Sequence, residues 1–202
     1  MKLVCLDLEG VLVPEIWIAF AEASGIPELR RTTRDEPDYD KLMKFRLALL
    51  KERGLKIRDI QAVINTMEPL DGARDFLHRL RSMTQVIILS DTFEEFARPL
   101  MAKLDYPTLF CNNLVIAEDG TVTDYRLRQK EGKLHAVRAL KSINMQVFAA
   151  GDSFNDLAMI READEGCLFR APEGIRSSCN DLDCMDSYQD LLGRIERFLH
   201  SL

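Results

Sequence analysis

The chain has 202 residues, 47% hydrophobic and 30% charged, with a formal net charge of −6. That is the composition of one globular domain with a sizeable core and room for a small insert, and its acidity argues against a general nucleic-acid partner. No run of about 18 apolar residues occurs, so no membrane span is expected.

Lys2 to Leu6 reads as a short buried strand, closed by Asp7 and by a turn at Gly10. Those acids interrupt the first apolar run too early for a signal peptide. Pro14 to Ala23 reads as a helix, with Pro14 at a suitable first position and Gly25-Ile26-Pro27 as its breaker. Residues 30–38, with Thr32, Thr33, Asp35 and Pro37, read as a loop. Asp38 can cap a helix to about Arg53 that carries Leu42, Phe45, Leu49 and Leu50 on one face. Gly54 ends it, and another helix covers Ile57 to Met67.

Alternating units follow. Asp71 to Met83 is predicted helical, and Gln85 to Leu89 a strand ending at Ser90-Asp91-Thr92. Thr92 and Glu95 have capping-box spacing for a helix to about Leu104. Thr108 to Phe110 is a short strand. Leu114 to Ala117 and Thr121 to Tyr125 flank Glu118-Asp119-Gly120 as a hairpin. Then come a helix over Gly132 to Ile143, a strand over Gln146 to Ala150, a helix over Phe154 to Glu162, a strand over Gly166 to Phe169 and a closing helix over Tyr188 to Leu199. Strands alternating with helices predict an α/β fold: a doubly wound, Rossmann-like parallel sheet. The helical block 14–68 is the candidate insert, a small cap after the first strand, with 1–13 and 69–202 forming the core. The five cysteines (Cys5, Cys111, Cys167, Cys179, Cys184) form no Cys-x-x-Cys pair. That disfavours a disulfide framework or zinc ribbon and fits reduced thiols in the cytoplasm.

Ligands of such sheets bind at the carboxyl ends of strands. Three of those ends are polar here: Asp7-Leu8-Glu9, Ser90-Asp91-Thr92 and Gly151-Asp152-Ser153. Carboxylates gathered at neighbouring strand ends repel one another and need a cation. Oxygen-only ligands suit magnesium, which also binds substrate phosphate. A carboxylate can attack phosphorus, and a second acid can protonate the leaving oxygen. Taken singly, each signal has an ordinary reading: Asp7 and Glu9 in a solvated loop, Ser90 to Thr92 or Ser153 and Asp156 as helix caps, Lys133 as a surface lysine. Their conjunction at strand ends, in one chain order, favours phosphoryl transfer.

These residues resemble the four motifs of the haloacid dehalogenase superfamily of phosphohydrolases: Asp7-Leu8-Glu9-Gly10-Val11, Ser90-Asp91-Thr92, Lys133, and Gly151-Asp152-Ser153-Phe154-Asn155-Asp156. The helical block resembles the cap of the phosphoserine phosphatase branch. The runs 6–17, 88–93 and 127–130 are similar to members of that branch that also transfer phosphoryl groups to homoserine. The resemblance implies Asp7 as nucleophile and magnesium ligand. Glu9 would be general acid/base, with its backbone carbonyl on the metal. Asp152 would be a further ligand, supported by Asp156. Ser90, Lys133 and Asn155 would lie at the phosphoryl group, with Asp91 also at the substrate. Glu15 would meet the substrate ammonium and Arg46 its carboxylate. It also implies a homodimer and a place in serine and threonine metabolism. The alternatives are a family phosphatase for another small phosphomonoester, and a phosphorylatable receiver domain. The latter is disfavoured because its aspartate lies on a middle strand and it has no insert after the first.

Overall fold

The computed structural model describes residues 1–33, 35–36 and 38–201. Among them, seven strands occur: β1 (Lys2–Leu6), β2 (Gln85–Phe93), β3 (Thr108–Ile116), β4 (Val122–Arg126), β5 (Gln146–Gly151), β6 (Glu165–Phe169) and β7 (Cys184–Met185). They form one sheet in the order β4-β3-β2-β1-β5-β6-β7, parallel throughout except for the β3–β4 pair. The chain starts in the centre, winds outward through β2 and β3, and returns to the other side of β1 with β5 and β6. That reversal opens a crevice at the carboxyl ends of β1, β2 and β5.

The helices are α1 (Ile16–Ser24), α2 (Tyr39–Glu52), α3 (Ile57–Thr66), α4 (Ala73–Met83), α5 (Glu94–Lys103), α6 (Gly132–Ser142), α7 (Leu157–Glu162), α8 (Glu173–Ser178) and α9 (Tyr188–His200). Alternate side chains of the central strands supply two apolar layers. Val4, Leu6, Ile88, Phe148 and Ala150 pack with residues such as Phe20, Leu80, Phe96 and Ile195. Leu3, Cys5, Val147 and Ala149 face Val137, Met159, Ile160 and Ile175. The first layer runs on into the helical block through Met43, Leu50 and Ile60. That block is therefore fastened to the sheet by apolar burial as well as by the chain.

The α/β expectation holds, and several boundaries move for identifiable reasons. Helix α1 starts after Pro14 because Glu15 takes the N-cap position. Asp38 caps α2 as expected, its side chain accepting from the Lys41 N–H at 3.2 Å. The expected loop includes Pro37, which lies outside the described residues. Strand β2 does not stop at Leu89. Leu89 pairs with Phe110 and Phe93 with Asn112, so Ser90-Asp91-Thr92 bulges opposite the single residue Cys111. The Thr92–Glu95 capping box accordingly does not form: α5 starts after Phe93, and the Glu95 carboxylate accepts from the Leu114 N–H at 3.0 Å. The short strand at Thr108 and the first hairpin arm are one strand, β3. The helix expected from Phe154 opens as a 3-10 turn, Phe154–Asp156. In the tail, α8 and β7 were not expected. A two-residue strand carries no periodicity, and β7 is defined by long-range bonds such as Arg170 N–H to the Met185 carbonyl at 2.8 Å. No helix among the described residues is long and apolar enough to cross a membrane.

Candidate active site

The sheet fixes the backbone at Asp7, whose N–H donates to the Ala150 carbonyl of β5 at 3.0 Å. The chain then turns back sharply. The Leu8 carbonyl accepts from the Leu12 and Val13 N–H groups at 2.8 and 3.0 Å, and the Gly10 N–H donates to the Val13 carbonyl at 2.8 Å. Gly10 has φ +77°, and a Cβ there would lie 2.4 Å from Asp152 Oδ2. Glycine is needed twice over, for its backbone conformation and for the approach of the turn to Asp152.

Asp7, Asp152 and Asp156 are all buried, and each offers an oxygen within 4.8 Å of the others'. Lys133, buried in the first turn of α6, places its Nζ 2.9 Å from Asp7 Oδ1, 2.7 Å from Asp156 Oδ1 and 3.5 Å from Asp91 Oδ2. Burial opposes the ammonium charge, but Asp156, Asp7 and Asp91 together outweigh it, and the Lys133 pKa stands well above the ordinary value. Burial, then the charge of Asp156, push the Asp7 carboxyl upward against the pull of Lys133. A buried cluster of three carboxylates whose oxygens converge this closely is the all-oxygen ligand set that suits a hard dication. Asp156 has both carboxylate oxygens engaged. Its Oδ1 takes Lys133, and its Oδ2 accepts from the Asp152 N–H (3.1 Å), the Ser153 N–H (3.0 Å) and the Ser153 hydroxyl (2.7 Å). The capping geometry expected of Ser153 and Asp156 forms, and it shares Asp156 with the carboxylate cluster.

Glu9 Oε1 accepts from the Ile16 N–H at 2.7 Å. Burial, then the nearby Glu15, push the Glu9 carboxyl up to about 8, which favours the protonated form. The bulge in β2 carries Ser90 and Asp91 out of the ladder toward the cluster, as bulges beside sites commonly do. Asp91 Oδ2 also accepts from Asn155 Nδ2 at 2.7 Å.

The opposite wall comes from the helical block: Glu15, Trp17 and Ile18 of the α1 start, Thr32 and Thr33, and Tyr39, Leu42 and Arg46 of α2. The cleft between the two walls measures about 250 Å³. Arg46 is 6% exposed, and its guanidinium lies 4.4 Å from the centre of the Trp17 ring. One amino group donates to the Arg31 carbonyl at 2.6 Å. Its Nε is the one buried side-chain polar atom among the described residues with no hydrogen-bond partner. Burial lowers the Arg46 pKa to about 10, which leaves the charge intact at neutral pH.

All ten residues singled out in the sequence thus converge. Asp7, Glu9, Glu15, Arg46, Ser90, Asp91, Lys133, Asp152 and Asn155 line the cavity, and Asp156 lies fully buried beside it. Tyr39, Thr32, Thr33 and Asn112 were not anticipated. Tyr39 lies seven residues before Arg46, two turns along the same helix face, a spacing that could have revealed it. Asn112 anchors the bulge, its Nδ2 donating to the Asp91 carbonyl at 3.0 Å. Nothing local in the sequence marks it.

Residues 1–164 match the haloacid dehalogenase-like hydrolase family, and the chain belongs to it. It is 53% identical over 191 residues to a phosphoserine phosphatase of Pseudomonas syringae pv. tomato, covering 95% of this chain and 81% of that one. It is 54% identical over 191 residues to the phosphoserine phosphatase ThrH of Pseudomonas aeruginosa, covering 95% and 93%. Among solved structures, a substrate-bound phosphoserine phosphatase complex superposes with a TM-score of 0.79 at 20% identity, covering 96% of this chain and 97% of that one. A phospho-aspartyl intermediate analogue of phosphoserine phosphatase gives 0.78 at 20% identity, covering 96% and 98%. At that identity the likeness is one of fold.

Proposed function

We propose that the protein is a magnesium-dependent phosphoserine phosphatase that works through an aspartyl-phosphate on Asp7 and can also pass the phosphoryl group to homoserine. The observation that carries the substrate class is Arg46. A buried guanidinium that lines a cavity floored by acids and Lys133, and whose Nε has no hydrogen-bond partner among the described residues, suits a small anionic group such as a carboxylate. Glu15 lies on the same wall to meet an ammonium. The two relatives above half identity, both phosphoserine phosphatases, support the same substrate.

Asp7, the Glu9 backbone carbonyl and Asp152 would hold the ion, with Asp156 fixing Asp152 and Lys133. Magnesium bound there neutralises charge on the nucleophile and the phosphoryl oxygens. Asp7 Oδ1 accepts from the Leu8 N–H at 2.7 Å and pairs with Lys133 Nζ at 2.9 Å, and Oδ2 would attack phosphorus. Lys133, Ser90 and Asn155 would bind phosphoryl oxygens. Glu9 would protonate the departing serine oxygen, then take the proton from water or from the homoserine hydroxyl. The block 14–68 would act as a cap on a core of 1–13 and 69–202, supplying amino-acid recognition while the core supplies chemistry. The reading includes a homodimer, which light scattering tests.

The test is an assay of the purified protein with phosphoserine and magnesium, with and without homoserine, following free phosphate and phosphohomoserine. Phosphate release dependent on Asp7 is expected, and phosphohomoserine when the acceptor is present. Turnover of sugar or nucleotide phosphates with phosphoserine untouched would overturn the amino-acid assignment.

A further inference from the structure

The amino-acid phosphate reading rests on Arg46, and it leaves open what fixes the distance from Arg46 to the phosphoryl end of the cavity. We propose that Tyr39 is a positioning residue that sets this separation, and with it the length of substrate the pocket accepts.

Tyr39 and Arg46 lie seven residues apart on α2, so they share one helix face, and both line the cavity. The Tyr39 hydroxyl donates to the backbone carbonyl of Asp91 at 3.3 Å. That carbonyl belongs to the β2 bulge, next to Ser90, and it also accepts from Asn112 of β3. The Asp91 side chain continues the connection to Lys133 and Asn155. One phenol therefore ties the helix that carries the guanidinium to the segment that carries the phosphoryl-binding groups. Its ring is steadied edge-on against Tyr125 at 5.7 Å, and the Tyr125 hydroxyl returns to Asp40 Oδ1 at 2.8 Å. Burial, then the charge of Asp91, push the Tyr39 hydroxyl pKa upward, so the group stays a donor.

Helix α2 is continuous over 14 residues, so a shift at Tyr39 is transmitted to Arg46. Phosphoserine and phosphohomoserine differ by one methylene between the carboxylate end and the ester oxygen. A tether of fixed length discriminates between them; a loosened one does not. Esters that lack a carboxylate make no use of Arg46, so they depend less on the tether.

The test is steady-state kinetics of the wild type and Tyr39→Phe, with magnesium, on phosphoserine, phosphohomoserine and two carboxylate-free esters, 2-aminoethyl phosphate and p-nitrophenyl phosphate. The variant keeps the ring and loses only the hydroxyl, and its carboxylate-free turnover reports whether the phosphoryl site is intact. For phosphoserine, kcat/KM is expected to fall about two- to tenfold, the range of one net hydrogen bond, through KM. The preference over phosphohomoserine should shrink by a similar factor, and carboxylate-free turnover should fall by less than turnover of phosphoserine. Equal losses on all substrates, or an unchanged preference with phosphoserine turned over normally, would overturn the role of Tyr39 alone. A wild-type protein inert toward phosphoserine but active on the other esters would overturn the amino-acid reading and this inference with it.

Discussion

Replacing Gly10 with alanine separates backbone strain from damage to the acid cluster, because Gly25 supplies a matched control. Both glycines are left-handed, at φ +77° and +67°. An L-residue in that conformation costs roughly 1–2 kcal/mol. For a domain of this size that lowers Tm by about 2–8 °C. Beyond this the two sites differ. A Cβ at Gly25 meets nothing within 4 Å, whereas at Gly10 it lies 2.4 Å from Asp152 Oδ2. Ordinary contact begins at 3.4 Å, so the Asp152 carboxylate must retreat by about 1 Å. A side-chain carboxylate can do so, and the fold survives. A misplacement of that size costs on the order of 100-fold in rate. Gly10→Ala and Gly25→Ala should therefore melt within a few degrees of each other, while only Gly10→Ala loses about 100-fold in kcat on phosphoserine. Melting by circular dichroism and a phosphate-release assay at saturating magnesium measure both. Gly10→Ala retaining kcat within threefold would refute the claim that the turn aligns Asp152.

Asp7→Asn should abolish phosphate release yet leave the metal-free Tm at or above the wild-type value, because it removes one charge from a buried trio of carboxylates; calorimetry and the same assay decide it. Arg46→Lys keeps a charge but loses the planar fork, so KM for phosphoserine should rise about 10- to 100-fold with little change in kcat. Glu9→Asp shortens the acid by a methylene and should change the ratio of free phosphate to phosphohomoserine in the presence of homoserine; an unchanged ratio removes Glu9 from acceptor choice. Tyr188→Phe removes the hydroxyl that donates to the buried Val11 carbonyl at 2.6 Å, and keeps the ring stacked between Phe76 and Phe169. Leaving that carbonyl unpaired should cost about 1–3 kcal/mol, read as a lower urea midpoint at unchanged m-value.

The candidate site is legible in the sequence because much of it lies at strand ends. A continuous apolar run such as Leu3 to Leu6, stopped by an acid, marks both a buried strand and the place where a ligand would lie. Asp7, Ser90 and Asp152 are read from that pattern alone, and Arg46 and Glu15 came only through resemblance. Lys133 looked like any surface lysine, and only the packing of α6 against the sheet buries it among three carboxylates.

Local signals failed where distant backbone decides the outcome. Thr92 and Glu95 have the spacing of a helix cap, but strand β3 continues alongside and captures Glu95 through the Leu114 N–H. The bulge that aims Ser90 and Asp91 exists because β2 pairs on both sides of it with β3, a register set some twenty residues downstream. Strand β7 is too short for any periodicity to show.

The sequence by itself determined most of the strands and helices as far as β6, and the acids that end β1 and β5, since apolar period and turn chemistry act over a few residues. Only the tertiary structure decided that Gly10 must lie against Asp152, that Asp156 is consumed in holding its neighbours, and that Tyr39 ties the helix carrying Arg46 to the Asp91 carbonyl. Those relations depend on long-range packing, where a single hydrogen bond or 1 Å of clearance separates one arrangement from another and no local pattern records it.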